Sequence, residues 1–422
     1  MASIYHFTKR VYNSFIPSDV PKSSDAVKFG ILGAANIGPM AFIIPAKTHP
    51  DVVVAAIAAR DQKKAEAYAK KHGIPVVHKS YQDLLDDPSL DAVYIPLPNG
   101  LHYEWGLKAL QAGKHVLLEK PSTSNAEEAK SLFRHPLLNQ PNVPVLLEAF
   151  HYRFHPAWQT FLSTFDSKDI VDASAVQSLP AGFFPDSDIR FNYALSGGTL
   201  MDFGTYAINC IRQVFREEPV TITEASHRPM PKGGNKEIDH AIKAKWNFPN
   251  GGVGSIEADL AARGGYRFPR LTKSWPKLAL PKLTVQLSEK EVLDPKHKRH
   301  MMQRTVVFWN MLGPHLYHRI DIIDRHAIRN TENDDLIKSW CETNYMKVYE
   351  WPKKENGKVG QVWWTTYRHQ LEELINRIKK REGSGVWVDA EDSIRQMEMI
   401  DATYLKAGLP LRPTSKYLGS VG

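Results

Sequence analysis

Hydrophobic positions in the first third of the chain fall in short, nearly unbroken runs with helical stretches between them. The run at 27–32 leads into a Gly/Ala turn and then a helix interrupted by Pro39 and Pro45. Residues 52–59 are apolar throughout, as a parallel strand covered on both faces must be. Helix over 63–71, strand from Pro75, short helix over 81–85 and strand over 91–96 follow in turn. A helix over 102–111, a strand over 114–119, a helix from Asn125 and a strand over 143–149 complete the series. This alternation predicts an α/β Rossmann domain, a doubly wound parallel sheet, over residues 27–150. Residues 1–26 read as a flexible N-terminal arm.

The pattern changes after His151. Candidate strands at 173–178, 221–228, 241–248, 252–261, 282–288 and 305–310 follow one another, with a single helix over 199–214 set among them. Asn250-Gly251-Gly252 is a hairpin signal between two of these strands. Residues 151–422 therefore read as an α+β domain with a large, mostly antiparallel sheet, closed by helices over 366–380 and 390–407. Leu371, Leu374, Ile375 and Ile378 form the core stripe of the first of these helices.

Composition narrows the function classes. Hydrophobic content of 42% and charged content of 24% are those of a soluble globular protein. No apolar run approaches the roughly 20 residues of a membrane span, so no membrane partner is expected. The two cysteines, Cys210 and Cys341, point to a reducing compartment and a cytoplasmic protein. The 17 histidines show no metal-ligand spacing, and no metal is expected. The formal charge of +8 lies in residues 263–304, where 11 Lys/Arg face only Glu289, Glu291 and Asp294. No nucleic-acid motif accompanies that excess, and residues 263–345 read as a solvated basic insertion.

Ligands of an open parallel sheet bind beyond the carboxyl ends of its strands. The first strand is followed by Gly33, Ala35 and Gly38 at the three glycine places of a dinucleotide fingerprint, Ala in the middle. With Asn36 and Ile37, this turn can bring backbone amides to a pyrophosphate; alone, it is equally an ordinary strand–helix connection. Arg60 follows the second strand, where an NAD enzyme is expected to carry a carboxylate for the ribose diol. A guanidinium suits a 2′-phosphate instead. NADP is thus favoured over NAD, with Asp61 one place on as the argument for NAD. Leu97, Pro98, Asn99 and His102 follow the next strand, and Glu119-Lys120-Pro121 the one after. Lys120 falls near the place a nicotinamide would reach, and Pro121 holds it extended.

Gly-Ala-Ala-Asn-Ile-Gly, Leu-Pro-Asn-x-x-His and Ala-Gly-Lys-His-Val-Leu-Leu-Glu-Lys-Pro, in that order, resemble the glucose–fructose oxidoreductase/inositol dehydrogenase (Gfo/Idh/MocA) family. Ala59-Arg60-Asp61, Lys71-His72-Gly73-Ile74-Pro75, and Glu148-Ala149 ahead of Arg153-Phe154-x-Pro156 are similar to its dimeric dihydrodiol dehydrogenase and D-xylose 1-dehydrogenase branch. The resemblance covers residues 27–260 and the last 60, and the basic insertion departs from it. It extends to Gly197-Gly198-x-Leu200-x-Asp202-x-Gly204-x-Tyr206, and implies Tyr206 as acid/base, Lys120 as its partner and Asp202 in support. Lys120 would lower the tyrosine pKa from its ordinary value near 10. The implied activity is NADP-dependent hydride transfer with a carbinol carbon of a sugar or trans-dihydrodiol, and the implied assembly a homodimer through the second sheet. Arg153, His155 and Arg190 are candidate ligands of sugar hydroxyls, and Tyr367 stands with them. The alternative is a non-catalytic NADP-binding regulatory or partner-binding protein on the same fold. Retention of Lys120, Asp202 and Tyr206 favours the enzyme.

Overall fold

The structure, a computed structural model, describes residues 2–140, 143–231, 233–266, 268–292, 299–351 and 359–417. The first sheet is parallel and consists of β1 (Val27–Leu32), β2 (Val52–Ala58), β3 (Val76–His78), β4 (Ala92–Ile95), β5 (His115–Leu118) and β6 (Leu146–Glu148). Its order, β3-β2-β1-β4-β5-β6, reverses between β1 and β4, which opens a crevice at their carboxyl ends. Every residue of β4 is buried, as are Phe29, Ile31, Val116 and Leu117, because helices cover both faces. Helix starts use local side chains to satisfy free amides. Asp61 accepts from Lys64 N, Ser80 from Asp83 N and Asn125 from Glu128 N.

The second sheet is mixed and mostly antiparallel. Its main path runs β15 (Leu336–Met346), β14 (Arg319–Arg329), β13 (His300–Trp309), β11 (Lys282–Leu287), β7 (Ile170–Pro180), β10 (Val253–Ala262), β9 (Asp239–Asn247) and β8 (Thr221–Pro229). A short β12 (Lys290–Val292) pairs with β13, and β7 with β10 is the parallel pair. Asn250-Gly251-Gly252 turns β9 into β10, as the sequence predicts.

Two expectations need correction. Residues 263–345 are not simply a solvated insertion: they supply β11 to β15 and so widen the sheet. Part of their charge is paired: Arg304 with Asp324 across β13 and β14 (2.7 Å), Arg299 with Asp334 (2.6 Å) and Lys290 with Asp169 (2.5 Å). The supposed flexible arm holds a helix, Ala2–Phe15, docked on the loop between β13 and β14. Arg10 donates to the carbonyls of His315 (3.0 Å) and Leu316 (3.1 Å) and lies 3.7 Å above the Tyr349 ring. Ser14 donates to Trp363 O at 2.8 Å.

Three helical segments join the two sheets around the site. The stretch Leu200–Gly204 is a wide π turn that runs into the Thr205–Phe215 helix, buried almost throughout. Thr366–Ile378 packs on the His151–Phe154 turn, and Ala390–Lys406 against the helices Ala126–Phe133 and Thr205–Phe215. Arg412 and Asp239, both fully buried, pair at 2.7 Å. Asp239 also accepts from Leu200 N at 2.6 Å, which fixes the start of the π turn.

Candidate functional site

Gly33 leaves β1 with φ +106°, a conformation that disfavours any side chain, and a Cβ there would lie 3.0 Å from Leu97 Cδ2. At Gly38 a Cβ would meet the Tyr68 hydroxyl at 2.4 Å. That hydroxyl donates to Ala35 O at 3.2 Å and ties the turn to the Gln62–His72 helix. Among the described residues, the amides of Asn36 and Ile37 make no hydrogen bond. Arg60 is exposed just beyond β2. The Asp61 carboxylate is engaged as a helix cap, 3.1 Å from Lys64 N.

Two strand-end loops flank the crevice. Leu97 O and Pro121 O each lie 2.7 Å from a ring nitrogen of the fully buried His102. His102, expected among the cofactor ligands, thus lies between the loops with a carbonyl oxygen against each nitrogen, and as a neutral ring donates to one of them. Burial lowers its pKa to about 4, against the pull of the two carbonyls. Asn99 donates to Ser196 O (3.1 Å), joining its loop to the segment that enters the π turn. Glu119 is buried and accepts from Tyr94 OH at 2.7 Å; burial raises its pKa, and Lys120 partly offsets this.

Lys120, Asp202 and Tyr206 come together although 82 positions separate the first two. Lys120 Nζ donates to Asp202 O and Oδ1, both at 2.9 Å, and sits 4.7 Å above the Tyr206 ring. Arg190 Nε donates to Asp202 Oδ2 at 2.7 Å, so one carboxylate holds two cations. Burial alone would raise the Asp202 pKa, but Lys120 and Arg190 hold it below the ordinary value. Tyr206 differs from expectation. Burial drives its pKa well above 10, with Tyr367 and Glu119 adding to the rise, while Lys120 Nζ lies 4.7 Å from the ring centroid.

Tyr206 OH lies 3.0 Å from His151 Nε2, and His151 Nδ1 lies 2.8 Å from Thr366 Oγ1. The His151 ring packs on Tyr367 at 4.0 Å between centroids, tilted by 32°. Burial holds the His151 pKa well below 6.5, so the imidazole is neutral near pH 7. Sequence reasoning missed His151 and Thr366. His151 stands three places beyond β6, where the carboxyl-end rule applied to the sixth strand points.

Of the four candidate sugar ligands, Arg190 reaches the cluster through Asp202 and Tyr367 lies against the His151 ring, whereas Arg153 and His155 do not reach it. Arg153 is buried against Asp392 and Trp387 O. His155 caps the Pro156–Leu162 helix by accepting from Ala157 N at 3.1 Å, among the rings of His318 and His369. Both hold the second domain together. Among the described residues no group of His, Cys, Asp or Glu is placed to hold a metal ion, and no helix is long and apolar enough to cross a membrane.

A crevice at the switch point of a parallel sheet, closed by a helix from a second, mostly antiparallel sheet, defines a two-domain dinucleotide-binding architecture. Residues 27–136 match the model of an oxidoreductase family with an NAD-binding Rossmann fold, GFO_IDH_MocA, and residues 163–277 match the GFO/IDH/MocA C-terminal domain. The chain belongs to the GFO/IDH/MocA family. It is 44% identical over 189 residues to D-xylose 1-dehydrogenase (NADP(+)) 2 of Haloferax volcanii, a match covering 44% of this chain and 56% of the relative. It is 33% identical over 201 residues to trans-1,2-dihydrobenzene-1,2-diol dehydrogenase of Xenopus tropicalis, covering 47% and 60%. These matches thus span little more than half the length of the relatives. The fold is shared with the 3-ketoreductase KijD10 of Actinomadura kijaniata, solved with NADP and TDP-benzene. The TM-score is 0.66 at 20% identity, over 90% of this chain and 98% of that one.

Proposed function

We propose that the protein is an NADP-dependent oxidoreductase acting on a carbinol carbon of a sugar, aldose to lactone, or of a trans-dihydrodiol. The observation that carries this reading is the convergence of Lys120, Asp202 and Tyr206 beside the crevice. The residues present fit the cofactor: a glycine turn with a positive φ and free amides at Asn36 and Ile37, and Arg60 exposed for a 2′-phosphate. Asp61, the argument for NAD, is occupied as a cap. A relative bears NADP(+) in its name, and KijD10 was solved with NADP.

When bound, the nicotinamide accepts or returns the hydride. Tyr206 exchanges a proton with the substrate oxygen. As a buried neutral phenol it is a ready donor to an alkoxide formed by carbonyl reduction. In the oxidative direction it must pass its own proton on as it takes that of the substrate. Lys120 is held in place by Asp202 and contributes positive charge where oxyanion character develops. Arg190 fixes the far side of the carboxylate and lies within the same polar cluster.

A screen of NADP and NAD in parallel against pentoses, hexoses and trans-dihydrodiols tests the reading. NADP-linked oxidation of at least one class is expected, and its absence across the panel favours the non-catalytic alternative. A homodimer through the second sheet remains part of the proposal, and sedimentation velocity over a range of concentrations tests it.

A further inference from the structure

Tyr206 has no carboxylate or ammonium on its hydroxyl, and its one polar contact among the described residues is His151. The imidazole is enclosed: 4% exposed, packed on Tyr367, and hydrogen-bonded on its far side to Thr366, the first residue of the Thr366–Ile378 helix. Three parts of the chain, the turn after β6, the Thr205–Phe215 helix and the Thr366–Ile378 helix, meet in this line.

We propose that His151 is a positioning residue and proton relay behind Tyr206, with Thr366 selecting its tautomer; this rests on the assignment of Tyr206 above. With Nδ1–H donating to Thr366 Oγ1, Nε2 accepts from the Tyr206 hydroxyl and leaves a tyrosine lone pair for the substrate O–H. With the Thr366 hydroxyl donating to Nδ1, Nε2–H donates to Tyr206 and turns the phenolic O–H toward a substrate carbonyl. A neutral imidazole with Nε2 free to accept thus prepares Tyr206 for oxidation, and an Nε2–H orients its hydroxyl for reduction. In oxidation the C–H bond breaks and hydride leaves to the nicotinamide while the C=O bond forms. The substrate O–H proton passes to Tyr206 Oη, and the Tyr206 proton passes to His151 Nε2. The imidazolium so formed replaces the positive charge lost by the nicotinamide, and the net charge of the site is unchanged. Reduction begins with uptake of a proton from solvent at His151 and runs the same transfers backwards: Nε2–H passes its proton to Tyr206 Oη as the Tyr206 proton passes to the carbonyl oxygen.

The test uses the full-length enzyme and the substrate found in the screen. His151→Phe preserves the ring contact and removes both hydrogen bonds. We expect kcat to fall about 100-fold with KM for NADP unchanged. The solvent-isotope proton inventory should change from bowed, as for two protons in motion, to straight. His151→Gln restores a hydrogen bond to Tyr206 without a basic nitrogen, and should recover thermal stability but not the bowed inventory. Should His151→Phe not fold, Thr366→Val decides. It should lower kcat by about tenfold and leave NADPH binding intact. Wild-type kcat and inventory in His151→Phe or Thr366→Val, with Tyr206→Phe inactive, overturn the relay and leave the proposed function standing. An active Tyr206→Phe overturns both.

Discussion

Asp202 is the hinge of the cluster, and Asp202→Asn is the perturbation whose size the geometry constrains best. The carboxylate lies 2.9 Å from Lys120 Nζ and 2.7 Å from Arg190 Nε. At an effective dielectric near 20, one such pair attracts by about 6 kcal/mol before desolvation is charged against it. Removing one member of a buried pair costs about 3–5 kcal/mol. Arg190 is 32% exposed and solvent screens it in part, so the lower end, about 3 kcal/mol, is expected. Asparagine leaves Lys120 its bond to the backbone carbonyl of residue 202, which should keep the fold. Thermal unfolding at neutral pH should show Tm lowered by roughly 5 °C, and kcat should fall by roughly 100-fold as Lys120 loses its fixed position. The pH dependence has a definite sign. The folded carboxyl titrates below its unfolded value of about 3.9, so its stabilisation is complete above that value and is lost as pH falls through the folded one. The gap between wild type and Asp202→Asn should therefore close in acid. Equal Tm values at neutral pH, or a gap that widens in acid, would refute the reasoning.

Other predictions follow from single contacts. Arg60→Ala should raise KM for NADP by about 10- to 100-fold, the worth of a charge-assisted pair, and leave KM for NAD nearly unchanged; equal effects on both would remove Arg60 from the 2′-phosphate. Gly38→Ala sets a methyl 2.4 Å from the Tyr68 hydroxyl and should cost about 1–3 kcal/mol in denaturant unfolding while weakening NADPH binding; a neutral result would show that the turn yields freely. Burial pushes the Glu148 carboxyl up to about 7, against hydrogen bonds from Ser393 and Ser122. The folded state holds that proton where the unfolded chain, near 4.3, has released it, so stability falls as pH rises between these values. Glu148→Gln should remove up to about 3 kcal/mol of that decline, and parallel stability curves for the two proteins would contradict it.

The first sheet was legible because its central strands, β1 and β4 above all, are buried and read as apolar runs. The helices Tyr81–Leu85 and His102–Gln111 have the bounds the sequence predicts. The second sheet was legible mainly where strands alternate more and less buried positions. β10 alternates buried and half-buried positions, whereas β15 is exposed along nearly its whole length and β14 carries Asp321, Asp324 and Arg325 within it. Strands that bury little carry little hydrophobic signal. Their charges, such as Arg304 paired with Asp324 across β13 and β14, read as solvated excess. The motifs brought out Lys120, Asp202 and Tyr206, whose side chains meet in the fold. Their electrostatics were not legible, since the position of Lys120 against the ring, the burial of the hydroxyl and the His151–Thr366 line depend on tertiary packing. His102 shows the converse: a motif residue whose nitrogens each face a backbone carbonyl of the fold.

The central claim is tested most directly by initial rates of NADP reduction by wild type and Tyr206→Phe on the substrate identified in the screen, with NADPH affinity of both measured by fluorescence titration. The account predicts robust turnover by wild type, none above background for Tyr206→Phe, and NADPH affinities equal within about twofold. Turnover retained by Tyr206→Phe, or cofactor binding lost with it, would contradict the account.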